Sequence, residues 1–178
     1  AAQWTFPWGE EPLHEVIRED LKANPRDPGS WVLMGNLRLS QYLIGRLGRR
    51  NPLALASVVM ARAVNEGILG VELRPATKVA PGLSVYHRFG LVSNNSAVIG
   101  RHVQLRHGVT IGHKVPGEPS PVICDDVEVG AGAIIVGDII VGRGAKIAAG
   151  AVVVKDVPPG AVVAGNPAKI IGYTDQSA

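Results

Sequence analysis

The chain carries two hydrophobic periods, and the change from one to the other falls near residue 70. In the first part, apolar residues recur at helical spacing between proline-containing breaks. The pattern predicts three helices: one that opens at Pro12, a second over 31–50, and a third whose N-cap is Asn51. Arginines of the second helix, Arg38 among them, fall largely off its apolar face and are interpreted as solvated. We therefore expect a helical N-terminal region over 1–70.

The second part follows a period of six. An aliphatic residue recurs at every sixth position from Ile123 to Val153, and the position four residues later is again small or aliphatic. The same spacing runs through Leu105, whereas it slips by two residues between Val85 and Ile99. Such a period indicates short parallel strands, three to a coil, stacked as a solenoid. The sequence therefore predicts a mainly β fold, a parallel β-helix preceded by short helices.

One segment interrupts this repeat. Residues 113–121 are rich in Pro, Gly and Lys, and they are predicted to form a loop that leaves the solenoid. Loops on a rigid scaffold often carry function. The solenoid domain is expected to span 71–172, with a tail over 173–178.

Composition narrows the classes of function. Of the 178 residues, 46% are hydrophobic, 19% are charged and only 4% are aromatic, so a large core must rely on aliphatic side chains. The net charge of +3 is mild and no basic run is interleaved with aromatics, which argues against nucleic-acid binding. No signal peptide and no membrane span are visible, so a cytoplasmic protein is expected.

Several motifs resemble the hexapeptide-repeat acyltransferases. The segments GVELRPATKVAPGLSVYHRFGLV, LRHGVTIGHK and AGNPAKIIG are similar to the serine acetyltransferase branch. The helical segment with REDLKANP looks closer to the colanic-acid-type acetyltransferases of exopolysaccharide biosynthesis. The resemblance implies a left-handed β-helix and a homotrimer, with acetyl-CoA as acyl donor and no metal.

The resemblance also implies a catalytic histidine. The matching residue is His87 in VYHRFG, which would deprotonate an acceptor hydroxyl as it attacks the thioester. The family holds this imidazole with a carboxylate, and the matching position is Glu72, where Asp is usual. Neutral imidazole suits the task because its pKa lies near neutrality, and a carboxylate on the other ring nitrogen would fix its tautomer.

Two departures from the family bear on the acceptor. Serine acetyltransferases have an Asp before the catalytic His and a second His in the loop, and here these positions are Tyr86 and Ser120. Together with His107, they are predicted to line the acceptor pocket. We therefore expect a small or saccharide-like hydroxyl acceptor ahead of serine, with serine O-acetylation as the alternative.

The predicted coenzyme A site follows the coil corners. Small corner residues would let the pantetheine arm approach the backbone, and cationic side chains would meet the nucleotide phosphates. By resemblance the corner residues are Gly112 or His113, Ala131 and Ala149, and the cations are Lys146, Lys155 and Lys169.

Two other functions remain open at the level of sequence. His102 and His107 lie five positions apart, and γ-class carbonic anhydrases bind zinc through histidines on the same kind of solenoid. In those enzymes, however, the histidines fall one place earlier in each hexapeptide. A non-catalytic scaffold is the second alternative. The single Cys124 has no neighbouring base in sequence and is interpreted as a packing residue.

Overall fold

The computed structural model describes residues 11–174, and their first part is helical. The helices are α1 (Leu13–Ala23), α2 (Pro28–Leu47) and α3 (Pro52–Asn65). The start of α3 is as predicted, because the Asn51 side chain accepts the amide of Leu53 at 2.9 Å.

Helix α2 begins three residues before its predicted start and ends three residues before its predicted end. At its start, the carboxylate of Asp27 accepts the amides of Gly29 and Ser30, so the helix is capped ahead of Pro28. At its end, Gly48 adopts a φ of +84°, a conformation that glycine tolerates and that stops the helix.

Residues from Val71 onward form a β-helix, which confirms the predicted fold class. Three sheets make up its sides, and all of their pairings are parallel except the last one, β14 with β15. The first face contains β1 (Val71–Leu73), β4 (Leu91–Ser93), β7 (Thr110–Gly112), β10 (Ile134–Val136) and β13 (Val152–Val153). The second face contains β2 (Lys78–Val79), β5 (Val98–Ile99), β8 (Val122–Ile123) and β11 (Ile140–Val141). The third face contains β3 (Ser84–Tyr86), β6 (Gln104–Arg106), β9 (Glu128–Val129), β12 (Lys146–Ile147), β14 (Ala161–Gly165) and β15 (Ala168–Tyr173).

The six-residue period corresponds to the core of this prism. Every lead residue of the repeat is buried, and so is every small or aliphatic residue four positions later. The lead residues are Ile123, Val129, Ile135, Val141, Ile147 and Val153, and the later ones are Val127, Ala133, Ile139, Ala145, Ala151 and Val157. Stacking aliphatic side chains in this way removes a continuous apolar column from water, and that column can stabilise a domain with few aromatic rings.

The slip in the repeat has a defined location. Leu105 and Ile111 occupy consecutive faces six positions apart, whereas their counterparts one coil earlier, Val85 and Ser93, are eight apart. The two additional residues lengthen the turn between β3 and β4, residues 87–90. The departure from the repeat therefore marks the segment that carries His87.

Helices α1 and α2 cover the open edge of the first coil. Arg38 is fully buried and donates to the carboxylate of Asp20 at 2.7 Å and to the carbonyls of Val79 and Ala80 at 2.6 and 2.9 Å. Asp20 in turn accepts the amide of Gly82 at 2.9 Å. The expectation that Arg38 is solvated is therefore wrong. The first coil has no preceding coil to bond its backbone, and buried backbone groups need partners. Arg38 supplies donors to two of its carbonyl groups.

The remaining segments complete the shape. Residues 113–121 lie between β7 and β8, and most of them are exposed. At the other end, β15 folds back antiparallel on β14. Within residues 11–174, no helix has the length and apolar character that a bilayer crossing requires.

Candidate functional site

His87 lies on an exposed turn where the third face gives way to the first, here called the 3–1 corner. It adopts a left-handed φ of +54°, and its carbonyl accepts the amide of Phe89 at 2.6 Å. Histidine is among the residues that tolerate this conformation better than most. The turn between β3 and β4 therefore presents the imidazole outward instead of into the prism.

The side chains nearest to His87 come from its own coil and the next one. His107 occupies the 3–1 corner one coil later, and the two imidazole centroids are 6.1 Å apart with the rings at 72°. Tyr86 pairs in register with Arg106, whose guanidinium carbon lies 5.6 Å from the tyrosine ring centroid. The corner thus combines two imidazoles, a phenol and a cation.

Glu72 has a different partner from the one expected. Its carboxylate forms an ion pair with Arg74 at 2.8 Å, and no hydrogen bond or ion pair joins it to His87 within the described residues. Arg74 also binds Glu66 at 3.1 Å. Burial alone would raise the pKa of Glu66, but the hydrogen bonds and charges of Arg62 and Arg74 outweigh it and hold that pKa below its usual range.

The predicted coenzyme A residues lie at two different corners. Ala131 and Ala149 follow His107 along the 3–1 corner, where the amide of Gly150 donates to the carbonyl of Ala131 at 2.8 Å. Gly112 and His113 lie instead where the first face turns into the second, here called the 1–2 corner. One chain therefore places the two groups on opposite borders of its first face.

Comparisons with known proteins cover most of the chain. A family model described as bacterial transferase hexapeptide (six repeats) matches residues 120–155. Serine acetyltransferase 4 of Arabidopsis thaliana is 38% identical over 174 residues, which cover 92% of this chain and 49% of that protein. The structure of soybean serine acetyltransferase complexed with serine has a TM-score of 0.77 at 35% identity, and the match covers 89% of this chain and 69% of that one. Serine acetyltransferase of Brucella abortus strain S19 in complex with coenzyme A gives a TM-score of 0.72 at 33% identity, covering 91% of this chain and 67% of that one.

The match to the soybean enzyme spans more than two thirds of that chain at 35% identity. The chain belongs to the serine acetyltransferase family. It spans about half the length of the Arabidopsis relative. The similarity to members of this family covers about nine-tenths of the chain and so includes most of the helical region, which corrects the expectation that this region is closer to colanic-acid-type enzymes.

The three lysines predicted to bind the nucleotide phosphates lie on different parts of one chain. Lys146 lies on the third face and forms an ion pair with Glu128 at 2.9 Å. Lys155 and Lys169 are exposed near the C-terminal end of the solenoid. Their role at the nucleotide phosphates stays a prediction.

Ser120 ends the loop at the 1–2 corner, whereas His87 lies at the 3–1 corner of the same chain. It is only 5% exposed, and its hydroxyl lies 2.7 Å from the hydroxyl of Ser96 at the base of the loop. The two hydroxyls therefore anchor the loop within one chain, and a role for Ser120 at the acceptor pocket stays a prediction.

The histidines of the zinc alternative are separated. His102 lies at the corner between the second and third faces, where its ring contacts Glu19 at 2.9 Å, whereas His107 lies beside His87. Among the described residues, no three His, Cys, Asp or Glu side chains are grouped as a metal site requires. Cys124 is a partly buried free thiol.

Arg106 lies at the candidate site but was not predicted from the sequence. The register of the coils supplies the signal for it, because residues 20 positions apart stack between the first two coils, as Tyr86 does on Arg106. Once Tyr86 is placed beside the histidine, the same spacing places a cation next to it.

Proposed function

We propose that this protein transfers an acetyl group from acetyl-CoA to the hydroxyl of serine, with His87 as general base. The observation that supports this most strongly is the exposed left-handed turn that carries His87, which lies where the repeat is lengthened by two residues between β3 and β4. Family membership supports the reaction class. Solved relatives in complex with coenzyme A and with serine support the two substrates.

The proposed reaction has one bond-forming and one bond-breaking event. A ring nitrogen of His87 takes the proton from the serine hydroxyl as its oxygen attacks the thioester carbon. The tetrahedral intermediate then collapses, the C–S bond breaks, and the imidazolium returns the proton to the leaving thiolate. The products are O-acetylserine and coenzyme A, and the base ends in its starting state.

Coenzyme A is placed along the 3–1 corner. Ala131 and Ala149 have small side chains, and their amide N–H groups donate no hydrogen bond within residues 11–174, so both can donate to the amide carbonyls of a pantetheine arm. Gly112 and His113 lie on the other border of the first face. We therefore infer that the active form is a trimer, in which the 1–2 corner of a neighbouring chain can approach this 3–1 corner.

The side chains around the base also suit an acceptor that has no ammonium group. Tyr86 is 40% exposed beside His87 and lies under the guanidinium of Arg106, so this side of the corner offers a ring and a positive charge. A cation attracts the carboxylate of serine but not its ammonium group. Other hydroxyl acceptors without an ammonium group, saccharides included, are therefore tested alongside serine.

The decisive experiment replaces the base. His87→Ala is expected to lower kcat by about 10²–10⁴-fold while oligomeric state and coenzyme A binding stay unchanged. His102→Ala is the matched control, because His102 is also exposed and has the same φ of +54° at a different corner. Thiol release from acetyl-CoA with serine or a saccharide as acceptor is the measurement. Turnover by His87→Ala equal to that of the control would remove His87 from the mechanism.

A further inference from the structure

The lengthened turn that carries His87 is held by residues of the helical region. Because Glu72 is paired with Arg74, the carboxylate expected to orient the imidazole is engaged elsewhere. The connection between α1 and α2, residues 24–27, lies against the turn instead. Its contacts fall on both sides of His87.

On the upstream side, the connection binds the backbone of β3. The amide group of Asn24 is buried, donates to the carbonyl of Leu83 at 2.7 Å and accepts the amide of Val85 at 2.9 Å. The hydroxyl of Ser30 donates to the carbonyl of Val85 at 3.1 Å. Both backbone polar groups of the residue two positions before His87 are therefore fixed by side chains of the helical region.

On the downstream side, the connection binds the residue that follows His87. One terminal nitrogen of Arg88 donates to both carboxylate oxygens of Asp27, at 2.8 and 3.0 Å. Burial alone would raise the pKa of Asp27, but its hydrogen bonds to Ser30 and the charge of Arg88 hold that pKa below its usual range. Asp27 therefore stays ionised at neutral pH and caps α2 at the same time.

Gly29 provides the space for this ion pair. A Cβ at Gly29, in the first turn of α2, would overlap the guanidinium of Arg88. By contrast, a Cβ at Gly35 in the same helix would meet nothing within 4 Å. The chain thus offers two glycines in one helix, of which only the first leaves room for Arg88.

We propose that Asp27 and Arg88 are positioning residues for acetyl transfer, and that they hold the turn of residues 87–90 so that the imidazole faces the reacting groups. This inference rests on the proposed function of His87. It adds a role for the helical region, which reaches the base through Arg88. Since the turn is exposed and longer than its equivalents, fixing it on both sides limits the directions in which the ring can point.

The test uses Gly29→Ala and Arg88→Met, with Gly35→Ala as the matched control. Misplacing a catalytic group by about 1 Å can cost about 100-fold in rate, so we expect kcat to fall about 10- to 100-fold in both test variants. KM for acetyl-CoA should change less than about twofold, because the coenzyme A residues are untouched. Gly29→Ala should unfold within a few degrees of the wild-type temperature, because the Asp27–Arg88 pair that it breaks is partly exposed and such pairs contribute about 1 kcal/mol or less.

A double variant separates positioning from general damage. If Gly29→Ala acts by displacing Arg88, the double variant with Arg88→Met loses no more activity than Arg88→Met alone, because both changes break one contact. Losses that multiply, or a Gly29→Ala enzyme as active as Gly35→Ala, would overturn the inference. Should Arg88→Met fail to fold, Gly29→Ala still decides.

Hydrogen exchange gives a readout that needs no activity. In Gly29→Ala, the peptide containing the amide of Phe89 should exchange at least tenfold faster than in wild type, while the equivalent corner at Gly132 is unchanged. Unchanged exchange at Phe89 would contradict the clamp itself. If the wild-type protein transferred no acetyl group but Gly29→Ala still exchanged faster than wild type at Phe89, only the proposed function would be contradicted.

Discussion

At the scale of single residues, the surroundings of His87 determine which acceptor it can serve. The carboxylates near the first coil are engaged, Glu72 with Arg74 and Asp27 with Arg88. The side chain directly before the base is a neutral phenol, Tyr86. The corner therefore offers little negative charge to a substrate ammonium group, and serine is expected to bind weakly through that group.

Replacing this phenol tests the point. Tyr86→Asp places a carboxylate beside the base, so KM for serine should fall, by about 3- to 10-fold if the new contact is worth about 1 kcal/mol. Tyr86→Asn is the control, because it makes the same change of size without the charge. Initial rates against serine concentration provide the comparison. Equal KM values for the two variants would show that the ammonium group of the acceptor does not lie at this position.

At the scale of elements, the sequence predicts the repeating coils, but it does not predict the contacts that the helices make with the first coil. A period of six defines the prism, and the Asn51-Pro52 pair locates the start of α3, because both signals are local. The burial of Arg38 is not local. Helical spacing places it off the apolar face of α2, but the unpaired backbone of the first coil needs donors there. Likewise, the motif VYHRFG predicts His87 as the base, whereas the ion pair between Arg88 and Asp27 depends on how α2 docks on the solenoid.

The cap formed by Arg38 should be costly to remove. Arg38→Met leaves the carboxylate of Asp20 buried without its cation, and breaking a buried pair in this way costs about 3–5 kcal/mol. Arg143→Met is the control, because it breaks an exposed pair with Asp125 and should cost less than about 1 kcal/mol. Urea-induced unfolding at one fixed protein concentration compares the two. Similar losses in both variants would show that the cap adds nothing beyond a surface ion pair.

At the scale of the whole molecule, the two borders of the first face belong to one proposed site. His87, Ala131 and Ala149 lie at its 3–1 corner, and His113 lies at its 1–2 corner, so one chain cannot bring them together. The outward residues of this face beyond the first coil are uncharged: Val92, Thr110, Ile134 and Val152. The third face presents Gln104, Glu128 and Lys146 instead. The second face beyond the first coil is also uncharged, with Val98, Val122 and Ile140 outward. We place the first face against neighbouring chains because both of its borders carry residues of the proposed site.

A charge on the first face should therefore break the assembly and the activity together. Ile134 is 38% exposed there, and Ile134→Glu would require a buried, unpaired carboxylate in the trimer, which costs several kcal/mol. Ile140, 53% exposed on the second face, provides Ile140→Glu as the control. Sedimentation should show Ile134→Glu as a monomer without acetyl transfer and Ile140→Glu as an active trimer. If the two results were reversed, the second face would be the buried one, and the corner carrying His87 would need a partner other than the 1–2 corner.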